Sequence, residues 1–239
     1  MSCLSLSPSL LAACATGCSD AHLVDCGQHR IHANIVDDFI ALKNAAAQAG
    51  FELTIASSFR DFERQSVIWN AKFSGARPIL DQHQQAVDIS DLSELEICHA
   101  ILLYSALPGA SRHHFGTDVD IYDQAAIPPD YKLQLEPHEY TIGGPFAAMT
   151  NWLDNNLAKF GFYRPYQSYL GGVAPEPWHI SHINQSQLMC DVLNLDVLTK
   201  QVQHSDLLGK QTILAHLPEL YERYVTNIAR PPQDTVLAP

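Results

Sequence analysis

Ser111-Arg-His-His-Phe-Gly-Thr-Asp-Val-Asp120 and, some sixty residues later, Glu176-Pro-Trp-His179 are the two stretches on which the reading of this chain turns. The first offers an imidazole at His113 and a carboxylate at Asp120; the second offers an imidazole at His179 and, three positions earlier, a carboxylate at Glu176. Two nitrogens and one oxygen leave a fourth tetrahedral position for water, the composition of a catalytic rather than a structural zinc site. His113, Asp120 and His179 are therefore the expected metal ligands, with one zinc ion per chain, and Glu176 the expected base.

The chemistry explains why these residue types are needed together. Peptide hydrolysis at neutral pH requires a strong nucleophile, and zinc lowers the pKa of bound water from about 15.7 towards roughly 7. A carboxylate must then accept the proton without occupying the metal. Pro175 and Pro177 fix the backbone on either side of Glu176, which limits its mobility. Strand alternation would put Glu176 and His179 on opposite faces, so a turn is expected near Pro177, with a regular strand from about Trp178 to Ile183. Thr117-Asp-Val-Asp-Ile-Tyr122 alternates polar and apolar residues and reads as a second strand. Asp118 and Asp120 then share a face, and Gly116 permits the bend that returns His113 to it. Asp118 is expected to accept an imidazole N–H or to hold a polar end of the substrate, with metal ligation the lesser option.

The pattern Ser111, His113, Gly116, Asp120 followed by Glu176, Trp178, His179 resembles the zinc D-alanyl-D-alanine carboxypeptidases and dipeptidases of the vancomycin-resistance type. Ser57-Ser-Phe-Arg60 with Gln65 is similar to a third element of that family, and the three occur in the family's order between about residues 55 and 183. The resemblance implies that His113, Asp120 and His179 bind zinc and that Glu176 is the acid/base. It implies further that Arg60 polarises the scissile carbonyl or the terminal carboxylate, and that Ser111, Gln65 and Trp178 hold substrate. Asp118, a residue also assigned to the substrate side, stands where many relatives carry Ala. The implied fold is α+β, a small central antiparallel sheet carrying the zinc site and flanked by helices, in the manner of the LAS, hedgehog-like metallopeptidases. The implied reaction is D,D-carboxypeptidase cleavage next to D-alanine in a peptidoglycan stem peptide. L,D-carboxypeptidase, D-Ala-D-Ala dipeptidase and endopeptidase activities are the alternatives, and a non-catalytic zinc-containing binding domain is the alternative of another class.

With 239 residues, 46% of them hydrophobic, the chain suffices for one domain with a real core. It divides into an N-terminal extension over 1–33 packed on the body, a motif-bearing core over 55–183 and a helical tail over 185–239. A formal charge of −12, from 14 basic and 26 acidic residues, speaks against nucleic acid as partner, because that binding runs on phosphate neutralisation. No stretch approaches the roughly 18 apolar residues of a membrane-spanning helix. Leu11-Ala-Ala-Cys14 resembles a lipoprotein cleavage box, but residues 1–19 carry no Lys or Arg, so a short helix after Ser7-Pro8 is expected instead. On this reading the address is cytoplasmic, with the periplasm or cell envelope as the alternative from the substrate class. The six cysteines are expected to be reduced, a disulfide among Cys14, Cys18 and Cys26 being the option if the protein is exported.

Helices are expected from Asn34 to Gly50, from Asp61 with Phe62, Ser66, Trp69 and Phe73 facing inward, from the capping box Ser93-Glu-Leu-Glu96, and from Phe146 to Phe160. Phe51–Ala56 reads as a strand that delivers Arg60 where it ends. Residues 75–91 read as a loop at one side of the cleft, and Asp123–Gly144 as an irregular excursion. One of the aromatics between Phe162 and Tyr169 is a candidate wall for a D-alanine methyl. His114 and His182 are expected to be structural imidazoles pointing away from the metal. A helical tail over Gln185–Ala229, with a loose Arg-Pro-Pro end, completes the chain.

Overall fold

The computed structural model describes residues 6–232, so the outermost residues of both termini, including Cys3, lie outside the described part. Helix α1 (Pro8–Ala15) starts with Pro at its first turn and Ser7 Oγ accepting the Leu10 amide, the arrangement its sequence favours. A hairpin follows, β1 (Leu23–Cys26) and β2 (His29–His32). It was not anticipated, although Gly27, at φ +63°, supplies the left-handed residue of a tight turn. Helix α2 (Val36–Gln48) buries Phe39, Leu42 and Ala46.

Strand β3 (Leu53–Ser57) leads through Arg60 into α3 (Phe62–Phe73), whose N-cap Asp61 accepts the Arg64 amide. The buried face of α3 is Phe62, Gln65, Trp69 and Lys72; the expected Ser66 and Phe73 are only half-buried. Two polar residues thus occupy positions that the apolar pattern would have left to others. Helix α4 (Glu94–Leu102) opens on the expected reciprocal capping box of Ser93 and Glu96. Strand β4 (Asp118–Asp123), the short helix α5 (Pro137–Tyr140), α6 (Ala147–Asn156), β5 (Phe162–Tyr163) and β6 (His179–His182) complete the middle of the chain. The tail forms α7 (Ile183–Val192), α8 (Leu195–Gln203) and α9 (Lys210–Tyr221), followed by a wide turn over Glu222–Thr226. Just before its Arg-Pro-Pro end the Ala229 amide donates to Pro165 O, and Arg230 and Pro231 line a cavity.

Strands β3, β4, β6 and β5, in that spatial order, make one antiparallel sheet. Strand alternation divides it into two unlike faces. Leu53, Ile55, Val119, Ile121 and Ile180 pack on α2 and α6, and each fully buried aliphatic stabilises the fold by about 1.5–3 kcal/mol. The other face carries Asp118, Asp120, His179 and Ser181. A second apolar cluster, drawn from α1, α3, α4, α7, α8 and α9, forms the helical half of the molecule. The cleft lies between this half and the polar face, lined by Lys72 and Leu102 on one side and Asp120, Trp178 and His179 on the other. Among the described residues no helix is long and apolar enough to cross a membrane.

A candidate metal centre in a cation-lined cleft

Strand register brings two of the four chemical residues together, and a helical turn adds the third. Asp120 on β4 stands opposite His179 on β6. His113 reaches the same point from a turn of 3-10 helix, Arg112–Phe115, that ends at Gly116 with φ +65°. A Cβ on Gly116 would sit 2.3 Å from Leu23 Cδ2 and 3.0 Å from the His32 backbone nitrogen. Glycine is therefore required there both by the left-handed backbone and by the close approach of the β1–β2 hairpin.

One donor atom from each of His113, Asp120 and His179 lies within 4.8 Å of the others, and all three residues are buried. His113 Nε2 is 3.3 Å from Asp120 Oδ2, and His179 Nδ1 is 3.2 Å from Asp120 Oδ1. The outward nitrogens are both engaged: His113 Nδ1 donates to Ser58 O at 3.0 Å, and His179 Nε2 donates to Asp118 Oδ1 at 3.0 Å. Those bonds fix the tautomers, so that each ring turns a lone pair inward. Among the described residues only three buried side-chain polar atoms lack a hydrogen-bond partner, and two of them are Asp120 Oδ1 and His179 Nδ1. Buried polar atoms are rarely left so. Lone pairs of N, N and O facing one another suit a divalent cation, and these residues fit zinc's preference for nitrogen and oxygen donors with a position left open.

Electrostatics point the same way. Burial opposes a charge on His179, but the flanking Asp118 and Asp120 carboxylates overcome it and raise its pKa to about 10, so that positive charge is held between them, as a proton or as a metal ion. Burial likewise opposes ionisation of Asp118 and Asp120. The Arg112 guanidinium and the His179 ring outweigh it for the first, and the two imidazoles for the second, so both are held below the usual carboxylate range. The cluster thus calls for positive charge where the three donors meet. Glu176 behaves in the opposite sense. Burial, with Asp120 adding to it, lifts its carboxyl to about 7 against the pull of His179, Arg60 and Lys72. Its Oε2 lies 3.4 Å from His179 Nδ1, beside the donors rather than among the three that converge. The expected turn is present, with the His179 amide donating to Glu176 O at 3.1 Å.

The remaining candidate residues separate into two groups. Arg60, Ser111 and Trp178 line the cleft, whose volume is about 390 Å³. Gln65 does not. It is fully buried, with Oε1 accepting Arg60 Nη1 at 2.9 Å and Nε2 donating to Ala106 O at 2.7 Å. Its amide positions Arg60 instead of touching substrate, because one helical turn into α3 the side chain points into the packed interior. Asp118 is corrected similarly. Fully buried and bonded by Arg112 Nε (2.7 Å), Thr117 Oγ1 (2.7 Å) and His179, it has no path to substrate; of its two expected roles, acceptor of the imidazole N–H is the one the geometry supports.

Several contributors were not foreseen. The Ser58 carbonyl orients His113, and the Arg60 amide donates to His113 O at 3.2 Å while Arg60 O accepts His114 Nδ1 at 2.6 Å. These bonds lock the Arg60 segment to the ligand segment, but backbone acceptors leave no mark in a sequence. Arg112 braces Asp118 from behind and also bonds Ser181 Oγ at 2.7 Å. Of the aromatics before Glu176, Tyr166 lines the cleft, edge-on to His179 at 5.1 Å, whereas Tyr169 is exposed. Loop residues Arg77, Pro78, Leu80 and Gln84 line one side of the cleft. His114 and His182 have partners on both ring nitrogens and face elsewhere. The five described cysteines are free.

Comparison with known proteins identifies the family. Two proteins of Haemophilus influenzae, each described as uncharacterized, resemble the chain: one is 35% identical over 121 residues, covering 50% of this chain and 92% of the relative. The other is 43% identical over 109 residues, covering 44% and 72%. Among solved structures, VanYB in complex with D-Alanine-D-Alanine superimposes with a TM-score of 0.51 at 22% identity, over 78% of this chain and 91% of that one, a likeness of fold. The family model for VanY, D-alanyl-D-alanine carboxypeptidase, matches residues 28–185, from the hairpin through the strand that bears His179, and this chain belongs to that family.

Proposed function

We propose that this chain is a zinc-dependent D,D-carboxypeptidase that removes a C-terminal D-alanine from a peptidoglycan stem peptide. The observation that carries the reading is the placement of Glu176, its carboxyl lifted to about 7, at the edge of three inward-facing donors. His113 Nε2, His179 Nδ1 and Asp120 would hold the ion. Zinc at that position supplies Lewis acidity and brings the pKa of a bound water down to roughly 7.

The protein's own groups then divide the work. Glu176 accepts a proton from the attacking water and returns it to the leaving amine nitrogen; its raised pKa suits both directions of transfer near neutrality. Hydroxide adds to the carbonyl carbon, the C–N bond breaks, and the products are the shortened peptide and free D-alanine. Arg60, which lines the cleft with its guanidinium held by Gln65, stabilises negative charge on the carbonyl oxygen. Ser111 offers a hydroxyl to the peptide, while Tyr166 and Trp178 form apolar walls that suit a methyl side chain.

The test is mass spectrometry of defined tri-, tetra- and pentapeptide stems and of D-Ala-D-Ala after incubation with zinc-loaded protein. Loss of one alanine from the pentapeptide is expected, and loss only from the tetrapeptide, or only dipeptide cleavage, would replace the specificity with another. In Glu176→Ala the zinc should stay bound while turnover falls by at least about a hundredfold, the scale of a lost general acid/base. Full activity in that variant would remove the mechanism.

A further inference from the structure

Basic side chains are scarce in this chain, 14 against 26 acidic, yet Arg60, Lys72 and Arg77 all line the same cleft. Among the described residues, the Lys and Arg side chains with a carboxylate within 4.0 Å are Arg30, Arg112 and Arg164; Arg112, which also borders the cleft, is thus paired with Asp118, whereas Arg60, Lys72 and Arg77 are not. Lys72 is the clearest case. It sits on the buried face of α3, only 9% exposed, and its one side-chain hydrogen bond is from Nζ to Ser105 Oγ at 2.7 Å. An ammonium has three donors, and burial of a charge without a counter-charge is costly. Burial, reinforced by Arg77 and Arg60, accordingly presses its pKa down to about 8, with Glu176 pulling the other way. Lys72 lines the same cleft as Glu176, His113, Asp120 and His179. Arg77, exposed on the following loop, extends the positive wall outward.

We infer that Lys72, supported by Arg77, is a specificity-determining residue that receives a carboxylate of the bound peptide. The inference rests on the carboxypeptidase reading and names the group by which that cleft selects its substrate. An ammonium in a pocket of this kind discriminates a carboxylate from its neutral amide because only the charged form supplies the missing counter-charge. The free C-terminal carboxylate of the leaving residue has this chemistry, and so does a carboxylate carried further along a stem peptide, such as that on the side chain of a diamino diacid. A purely structural Lys72 would only close the turn at Ser105 after α4, and would be indifferent to the state of any peptide carboxylate.

Binding separates these roles without requiring turnover. Zinc-loaded full-length protein carrying Glu176→Gln is titrated calorimetrically with an acetylated pentapeptide ending in D-Ala-D-Ala, with its C-terminal carboxamide, and with a carboxamide whose third residue bears a side-chain carboxylate. The free acid should bind about tenfold or more tighter than the simple carboxamide, the range of one charge-assisted hydrogen bond. Adding Lys72→Met should bring the acid to the affinity of the amide, Lys72→Arg should restore most of the difference, and the surface change Arg77→Gln should remove part of it without risk to the fold. If Lys72→Met instead weakens only the peptide with the side-chain carboxylate, that carboxylate is the one received. Equal binding of all three peptides by the parent protein, or a preference unchanged in both Lys72→Met and Arg77→Gln, overturns the inference. Acid-selective, Lys72-dependent binding in a protein whose wild type cleaves no stem peptide would sink the catalytic reading and leave this one standing; cleavage without acid preference would do the reverse.

Discussion

His179 and His182 lie three residues apart on one four-residue strand and are almost equally buried, their side chains 3% and 4% exposed. Their chemistry is nevertheless opposite. His182 Nε2 donates to Asp38 Oδ2 at 3.0 Å, its Nδ1 accepts the Gln185 amide at 3.3 Å, and its ring stands edge-on to Phe162 at 5.2 Å. Both nitrogens are committed, one of them to capping α7. His179 commits only Nε2, and its Nδ1 faces Asp120 and Glu176 with no hydrogen-bond partner. Burial therefore does not mark a functional imidazole. An uncommitted lone pair converging with carboxylates does, because such a pair has a cost in the empty protein that only a cation relieves.

The comparison predicts its largest effect at His179. Replacing it with Ala removes one of three zinc donors and should lower kcat/KM by about a thousandfold or more, the equivalent of several kcal/mol of transition-state stabilisation. Native mass spectrometry should show the ion lost at micromolar protein. A His179→Ala protein that keeps one tightly held zinc and cleaves stem peptides would show that the two histidines had been assigned to the wrong classes.

A smaller effect is expected one shell out, at Asp118. Asparagine there can still occupy the site but no longer offers charge to the His179 N–H, and loss of such a partner weakens metal affinity or activity about 10–100-fold. The same change strips Arg112, fully enclosed, of its carboxylate, and an uncompensated buried charge costs on the order of 3–5 kcal/mol. The two consequences are measured apart, metal affinity by competition with a chromophoric chelator and stability by urea unfolding of the zinc-free protein. Unchanged zinc affinity with reduced stability would make Asp118 a brace for Arg112 alone.

How much of this was readable beforehand depended on whether chemistry or packing selected the residue. His113, Asp120, Glu176 and His179 were legible because metal hydrolysis restricts residue types and spacing, and β4 and β6 were legible because their alternation is regular. Gln65 was misread as substrate-facing and Asp118 held two possible roles, since sequence names a side chain without showing which way the interior lies. The inward face of α3 was assigned to Phe62, Ser66, Trp69 and Phe73, a set at helical spacing; Phe62 and Trp69 are buried, but Gln65 and Lys72 rather than Ser66 and Phe73 complete the face, and spacing alone does not choose between the two rotations. The β1–β2 hairpin was passed over because each of its strands is only four residues long, and its weight appears only in three dimensions, where Leu23 and the His32 backbone press against Gly116.

The smallest effect belongs to His182, and its size makes it the sharper control. His182→Ala removes the α7 cap, a bond to Asp38 and ring packing on Phe162. Losing a cap costs about 1 kcal/mol. The Asp38 contact adds little, because that carboxylate is 45% exposed and screened by solvent. A total loss of about 1–2 kcal/mol would lower Tm by roughly 2–8 °C for a domain of this size. Zinc stoichiometry and kcat/KM at a temperature well below the transition should be unchanged within about twofold, since no group of the metal cluster is disturbed. His182→Asn sharpens the point, because asparagine is a favoured N-cap and should recover most of the stability without recovering the imidazole. If His182→Asn matched Ala in stability, capping would not be what the ring supplies. If either variant lost zinc, the two faces of β6 would be coupled, and the separation between a committed and an uncommitted histidine would fail where it is drawn most closely.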